Sequence, residues 1–207
     1  MNISETSMRP KRKNQNAPRK GSKIKVEPIQ NLDDSQLIRR MLQDKPRDLA
    51  LFTLGINTNL RASDLLKLRV YQVQDVKAGE SIEINETKTG KSRMLTLNRA
   101  CIKAIQNLLN KEYYHPGEFL FKSQKGGEAL KVPTVHNMVK SWCKAIKLKG
   151  NYGSHTLRKT WGYHQRVTYK VDIPTLMVCF NHSTQKQTLD YLCIQPEEIR
   201  NVFQNEL

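Results

Sequence analysis

Between residues 81 and 97 the spacing of apolar residues changes from the helical period to the strand period. SIEINE at 81–86 and SRMLTL at 92–97 alternate apolar and polar residues, and Lys88-Thr89-Gly90-Lys91 between them supplies a turn. The pattern predicts a β-hairpin with lysines at its tip. Elsewhere the apolar residues recur at three- and four-residue intervals. The expected fold class is therefore mainly α with one small antiparallel sheet.

The helical segments follow in order. Asp33 or Asp34 is placed to cap a helix carrying Leu37, Ile38, Met41 and Leu42, and Pro46 starts a second through Leu49, Ala50, Phe52 and Leu54. Asn57, Thr58 and Asn59 interrupt it, and Arg61 opens a short helix that turns Leu65, Leu66 and Leu68 inward. After the hairpin, helices are predicted over 98–112 behind Asn98 and over 133–147, separated by a turn at Gly126-Gly127. Further helices are predicted over 154–169, 173–180 and 184–193, and an amphipathic segment runs from Pro196 to Leu207.

The chain has 207 residues and a formal charge of +16. That excess suits a polyanionic partner, nucleic acid first of all, although a basic structural protein shares it. Residues 1–28 hold eight Lys and Arg against two acids, with almost no large apolar side chains, and read as a disordered tail. The tail carries +6, so residues 29–207 carry +10 and the folded part is itself basic. Cys101, Cys143, Cys179 and Cys193 lack paired metal-ligand spacing and read as reduced core residues. No run of about 18 apolar residues and no apolar leader is present. The expected location is cytoplasmic, beside the nucleoid, with no membrane partner.

SHTLRKTWGYH at 154–164 and FNHSTQKQTLDYL at 180–192 place His155, Arg158, His182 and Tyr191 in one series. Singly, each has an ordinary reading: Arg61 pairs with Asp64, Lys88 solubilises a turn, His155 and Arg158 form a polar helix face, His182 ends a helix, and Tyr191 packs between Leu189 and Leu192. Together they contain what phosphoryl transfer to a tyrosine requires. A phenol has a reference pKa near 10, so its anion lies roughly 4 kcal/mol uphill at pH 7 and needs a proton acceptor. The charge gathering on phosphorus needs fixed cationic donors, for which the arginine fork is suited. Arg61 and Arg158 can clamp the non-bridging oxygens, His155 can share protons, His182 can add a hydrogen bond, and Lys88 can protonate the leaving oxygen.

In order and spacing these residues resemble the tyrosine recombinases, or phage integrase family: Arg61 in NLRASDLLKL, Lys88 in ETKTGKSRMLTL, His155 and Arg158 in SHTLRKT, His182 in NHSTQKQTLDY, and Tyr191 nine residues on. Asp64, three residues after Arg61, fits as a supporting acid, and the resemblance covers about 35–200. It implies a DNA breaking-rejoining catalytic domain at 29–207 that needs neither metal nor nucleotide cofactor. Tyr191 would form a 3′-phosphotyrosine link to double-stranded DNA, and a freed 5′-hydroxyl would reseal it, so that a segment is integrated, excised or inverted. It also implies dimers to tetramers on DNA, with 195–207 packing on a neighbouring protomer. Accessory DNA-bending or directionality proteins are candidate partners. Arg61, Arg158, Lys91, Arg93 and Lys159, with Arg9, Lys11, Arg12 and Lys13 of the tail, are the expected DNA contacts.

One departure stands out. Most members carry an N-terminal helical domain of about 80–100 residues that closes the clamp on DNA, whereas only about 30 residues precede the catalytic region here. The chain reads as a short member or an excised catalytic domain. Alternatives are a topoisomerase-like nicking-closing enzyme of type IB and a DNA-binding regulatory protein that keeps the fold. Deleting residues 1–28 should weaken DNA binding and flatten its dependence on salt, measured as the slope of log affinity against log salt; an unchanged slope would show that the tail does not touch DNA.

Overall fold

Asn31, rather than Asp33 or Asp34, starts the first helix. Its side chain accepts a hydrogen bond from the Asp33 N–H at 2.8 Å, and α1 runs Leu32–Met41 with both aspartates in the first turn, at the positive end of the helix dipole. Of the four apolar residues expected to pack, Ile38 and Leu42 are buried, while Leu37 and Met41 are 41% and 39% exposed. Only one side of that stripe meets the core.

The computed structural model describes residues 25–87, 90–124, 126–192, 200 and 202–206. Helix α2 (Pro46–Gly55) has proline in its first turn and buries every residue from Ala50 to Gly55. It ends where Thr58 Oγ1 and Asn57 Nδ2 donate to the Leu54 and Thr53 carbonyls at 2.7 and 2.8 Å, and Asn59 takes a left-handed backbone with φ 55°. Those side chains satisfy carbonyls that a continuing helix would have used. The chain then turns into α3 (Ala62–Leu65), with Arg61 at its N-cap and Leu65, Leu66 and Leu68 buried as expected.

The hairpin forms as the alternation predicts. Strands β1 (Ser81–Asn85) and β2 (Ser92–Thr96) pair antiparallel with Ile82 opposite Leu95 and Ile84 opposite Arg93. Ile82, Ile84 and Leu95 face the core. Helix α4 (Arg99–Lys111) is capped by Asn98, whose side chain accepts from the Cys101 N–H at 3.0 Å, and it packs on α2. Gly126 and Gly127 both have positive φ in the turn before α5 (Val132–Ala145). Trp142 of α5 meets the ring of Phe52 edge on at 5.9 Å.

Helix α6 (Ser154–Val167) lies at the junction of the core, packed on α2, α5, α7 (Ile173–Phe180) and α8 (Gln185–Leu192). Its approach to α2 requires Gly55, because a Cβ there would sit 2.5 Å from Leu157 Cδ1. On another face, α7 and α8 gather a second apolar cluster of Leu176, Phe180 and Leu192 with Trp161 and Tyr191. Residues 25–28, grouped with the tail by composition, are held against this body: the Asn151 side chain donates to the Lys25 carbonyl at 2.9 Å, and the Glu27 N–H donates to the Asn151 carbonyl at 2.8 Å. Residues 1–24 and most of 193–207 lie outside the described residues.

Cys101 and Cys143 are free and buried, and burial pushes both thiols up to about 12. Cys179, at the end of α7, is only partly buried, so it is not the core residue that was expected; Cys193 lies outside the described residues. Gly162 lets the second cluster reach α6, since a Cβ there would lie 2.5 Å from the Phe180 ring and 2.8 Å from Leu192. Gly162→Ala should cost about 1–3 kcal/mol in denaturant unfolding. Gly117→Ala, where nothing lies within 4 Å, should stay within about 0.5 kcal/mol of the parent.

Candidate active site

Four segments distant in sequence meet at the edge of α6. The first brings Arg61, which the N-cap of α3 turns toward the end of β1. Its Nη1 lies 2.8 Å from Glu86 Oε2 and 3.7 Å from Asp64 Oδ2. The nearer pair is close but poorly directed for a hydrogen bond, and Nη1 keeps its donor capacity while almost inaccessible to solvent. Asp64 is 5% exposed, and its Oδ1 accepts the Thr87 N–H at 2.9 Å, which ties the short helix to the hairpin. The expected Arg61–Asp64 pair is present, with Glu86 as the nearer acid.

Arg93 comes from β2. Its Nη1 donates to the Cys179 carbonyl at 3.0 Å, its Nη2 donates to the Thr58 carbonyl at 3.3 Å, and it lies 3.7 Å from Glu86 Oε1. Burial lowers its pKa, with Glu86 opposing the shift. Expected at DNA, Arg93 has its guanidinium engaged inside the protein. Lys91 is exposed on the hairpin, and its carbonyl accepts the Glu86 N–H at 2.9 Å. Lys88, the expected general acid, lies outside the described residues, as do Arg9, Lys11, Arg12 and Lys13.

Helix α6 supplies three cationic or titratable side chains at different depths. His155 is exposed on its first turn, while Arg158, one turn deeper, is 3% exposed. Arg158 Nη2 donates to the Phe180 carbonyl at 2.9 Å, and its guanidinium carbon lies 5.2 Å from the Phe180 ring centroid and 6.0 Å from that of Tyr191. Its Nη1 is buried with no hydrogen-bond partner among the described residues. Burial brings its pKa down to about 10, opposed by Tyr191. The group is therefore charged at neutral pH and would lose its charge only as pH rises through about 10. Lys159, expected at DNA, is 7% exposed, with Nζ 5.3 Å from the Tyr191 ring centroid.

The last segment is built on the Phe180 ring. His182 stacks on it at 5.1 Å with 12° between the planes, Tyr191 leans on it at 5.1 Å, and His182 and Tyr191 meet edge on at 5.6 Å. Asn181 takes a left-handed backbone at the C-cap of α7, which ends the helix and turns His182 back toward the cluster. His182 Nδ1 shares a hydrogen bond with Thr188 Oγ1 at 3.0 Å, and Thr188 is fully buried. That contact orients the imidazole and leaves Nε2 as its other polar edge. Tyr191 is half-buried in the last turn of α8, with its Oη shielded from solvent.

Sequence reasoning placed Arg61, Asp64, Arg158, His182 and Tyr191, and the fold brings them together around Phe180 and the hairpin. It missed Glu86, Phe180, Asn181 and Thr188. Glu86 had a signal: it shares the strand parity of buried Ile82 and Ile84, so the alternation that predicted β1 also puts an acid on the core side. Phe180 and Thr188 had none, because their roles come from where α7 and α8 cross. Among the described residues, no group of three His, Cys, Asp or Glu side chains is arranged to hold a metal ion, and no helix is long and apolar enough to cross a membrane.

The model of the phage integrase family matches residues 30–198. A probable integrase/recombinase, YoeC of Bacillus subtilis strain 168, is 32% identical over 179 residues, covering 86% of this chain and 95% of YoeC. The tyrosine recombinase XerC of Caldanaerobacter subterraneus is 34% identical over 160 residues, covering 75% of this chain but only 44% of XerC. The chain thus spans nearly all of one relative and less than half of the other. Among solved structures, the XerA recombinase superposes with a TM-score of 0.71 at 18% identity, covering 92% of this chain and 68% of that one. The XerH recombinase bound to palindromic difH substrate gives 0.72 at 18% identity, covering 89% and 53%. At that identity the structures establish the fold, and the family match establishes kinship: this chain belongs to the phage integrase family, the tyrosine recombinases.

Proposed function

We propose that the chain is a site-specific DNA recombinase in which Tyr191 is the nucleophile. Its phenol oxygen attacks a phosphodiester, a phosphorus–oxygen bond forms to Tyr191 as the bond to the 5′-oxygen breaks, and the departing oxygen takes a proton. Attack by a 5′-hydroxyl on the phosphotyrosine reverses each change, so no bond energy is lost to hydrolysis. The observation that carries this reading is the buried, charged Arg158, with one donor partnerless among the described residues, set against the same aromatic ring as Tyr191 and His182. Such a donor is suited to an anion that arrives from outside.

Arg61 and Arg158 take the non-bridging oxygens, His182 adds a hydrogen bond through Nε2, and His155 accepts the phenol proton at the rim. Lys88 is the general acid, assigned from its place in the sequence alone. Lys91, Arg93, Lys159 and the tail residues Arg9, Lys11, Arg12 and Lys13 contribute positive potential toward double-stranded DNA, with Arg93 acting from within the fold. The chain works as dimers to tetramers on DNA in the cytoplasm, beside the nucleoid, and residues 195–207 join one protomer to the next. Accessory DNA-bending or directionality proteins are candidate partners.

Two variants test these assignments on nicked duplexes drawn from the flanks of the gene. Tyr191→Phe should abolish the covalent protein–DNA adduct on a denaturing gel while DNA affinity stays within about threefold; parallel loss of binding would make Tyr191 structural. Lys88→Ala should slow cleavage by about 10²- to 10⁴-fold, and a 5′-bridging phosphorothioate, whose leaving group needs no proton, should restore it. Failure of that rescue would remove Lys88 from the general-acid role.

A further inference from the structure

Glu86 has no role in the chemistry above, and its position opposes it. A carboxylate 2% exposed lies in a site suited to an anion, 2.8 Å from Arg61, 3.7 Å from Arg93, and 3.3 Å from the Asn181 side-chain nitrogen that donates to it. It lowers the positive potential where a phosphate would bind. Arg61, Arg93 and Arg158 interact with one another and with Glu86, and Asp64 adds a second acid beside Arg61 and Arg93. Among the described residues, three guanidiniums therefore face two carboxylates, and Glu86 lowers the net positive charge of this cluster by one unit.

A DNA phosphodiester carries one negative charge. A terminal or free phosphate carries nearer two at neutral pH. We propose that Glu86 is a specificity-determining residue: by lying against Arg61 and Arg93 it lowers the positive charge of the clamp and disfavours dianionic phosphates relative to a DNA diester. The inference rests on the reading of the arginines as a phosphate clamp. The anions excluded are inorganic phosphate, nucleotides and the phosphorylated ends of broken strands, all of which would otherwise compete for the same donors. Lys159, over the Tyr191 ring, adds positive charge that favours a dianion, and Glu86 works against that preference. The arrangement is selective because removing a repulsive group would help the dianion more than the monoanion.

The test uses the full chain, wild type and Glu86→Gln, titrated with inorganic phosphate and with dimethyl phosphate. Binding is followed by the backbone amide shifts of residues 58–64 and 180–188, which separates this site from the basic tail. Glu86→Gln should tighten inorganic phosphate about tenfold and dimethyl phosphate by about threefold or less. An unchanged ratio of the two affinities, in a variant that keeps the wild-type unfolding transition, overturns the proposal. Arg93→Gln should move the ratio the other way, and it carries the test if Glu86→Gln does not fold; an unmoved ratio there is equally fatal. Adduct formation by the wild type is scored separately. Its absence would sink the recombinase reading, whereas the phosphate ratio depends on binding alone.

Discussion

Keeping a guanidinium charged inside the protein is the constraint around which the site is arranged. Arg158 is withdrawn from water, and its pKa falls to about 10 as a result. An arginine in that position needs partners whose geometry does not relax, because an unpaired buried charge is among the costlier features a fold can contain. The Phe180 carbonyl, the faces of Phe180 and Tyr191, and the more distant Glu86 all offset that cost. They come from three elements, so the crossing of α6, α7 and α8 and the docking of the hairpin together offset the cost of burying that charge. Gly162 matters for the same reason, since it sets how closely Phe180 can lie to α6.

The hairpin is more than a support for lysines. Glu86, directly after β1 on the core side, meets Arg61, Arg93 and Asn181, so one carboxylate joins the start of α3, the second strand and the turn after α7. Asp64 makes a second connection through the Thr87 N–H. The two acids hold the arginines in place and lower the net positive charge around them. A site assembled from arginines alone would attract any anion and hold none of its own groups in register.

Much of the fold was legible because the signals were local. Period-two alternation gave both strands, Pro46 and Asn98 marked helix starts, and Arg61 fell at its N-cap as the break at 57–59 implied. Local rules failed where two residues of similar chemistry stood close together: Asn31 caps α1 in place of Asp33 or Asp34, leaving the aspartates to the helix dipole. The order of Arg61, His155, Arg158, His182 and Tyr191 was legible because it resembles that of the tyrosine recombinases. Glu86 could have been read from strand parity. The aromatic support could not, because Phe180 looks like any apolar helix residue until α8 folds across it and brings Tyr191 to its ring.

The end of α7 has a mechanical consequence. Its last two carbonyls, those of Cys179 and Phe180, receive three side-chain donors from the main body: Asn59 at 2.6 Å, Arg93 at 3.0 Å and Arg158 at 2.9 Å. Apolar contact between this lobe and the body passes mainly through α6, around Trp161 and Gly162. Tyr191 thus sits on a small lobe latched at the negative pole of a helix by two arginines and an asparagine. Regions tied down by few apolar contacts open at less than the free energy of global unfolding, so α7 and α8 are expected to open before the larger core. Slow amide exchange would then divide the molecule between Val167 and Ile173, and the tyrosine would belong to the part that opens first.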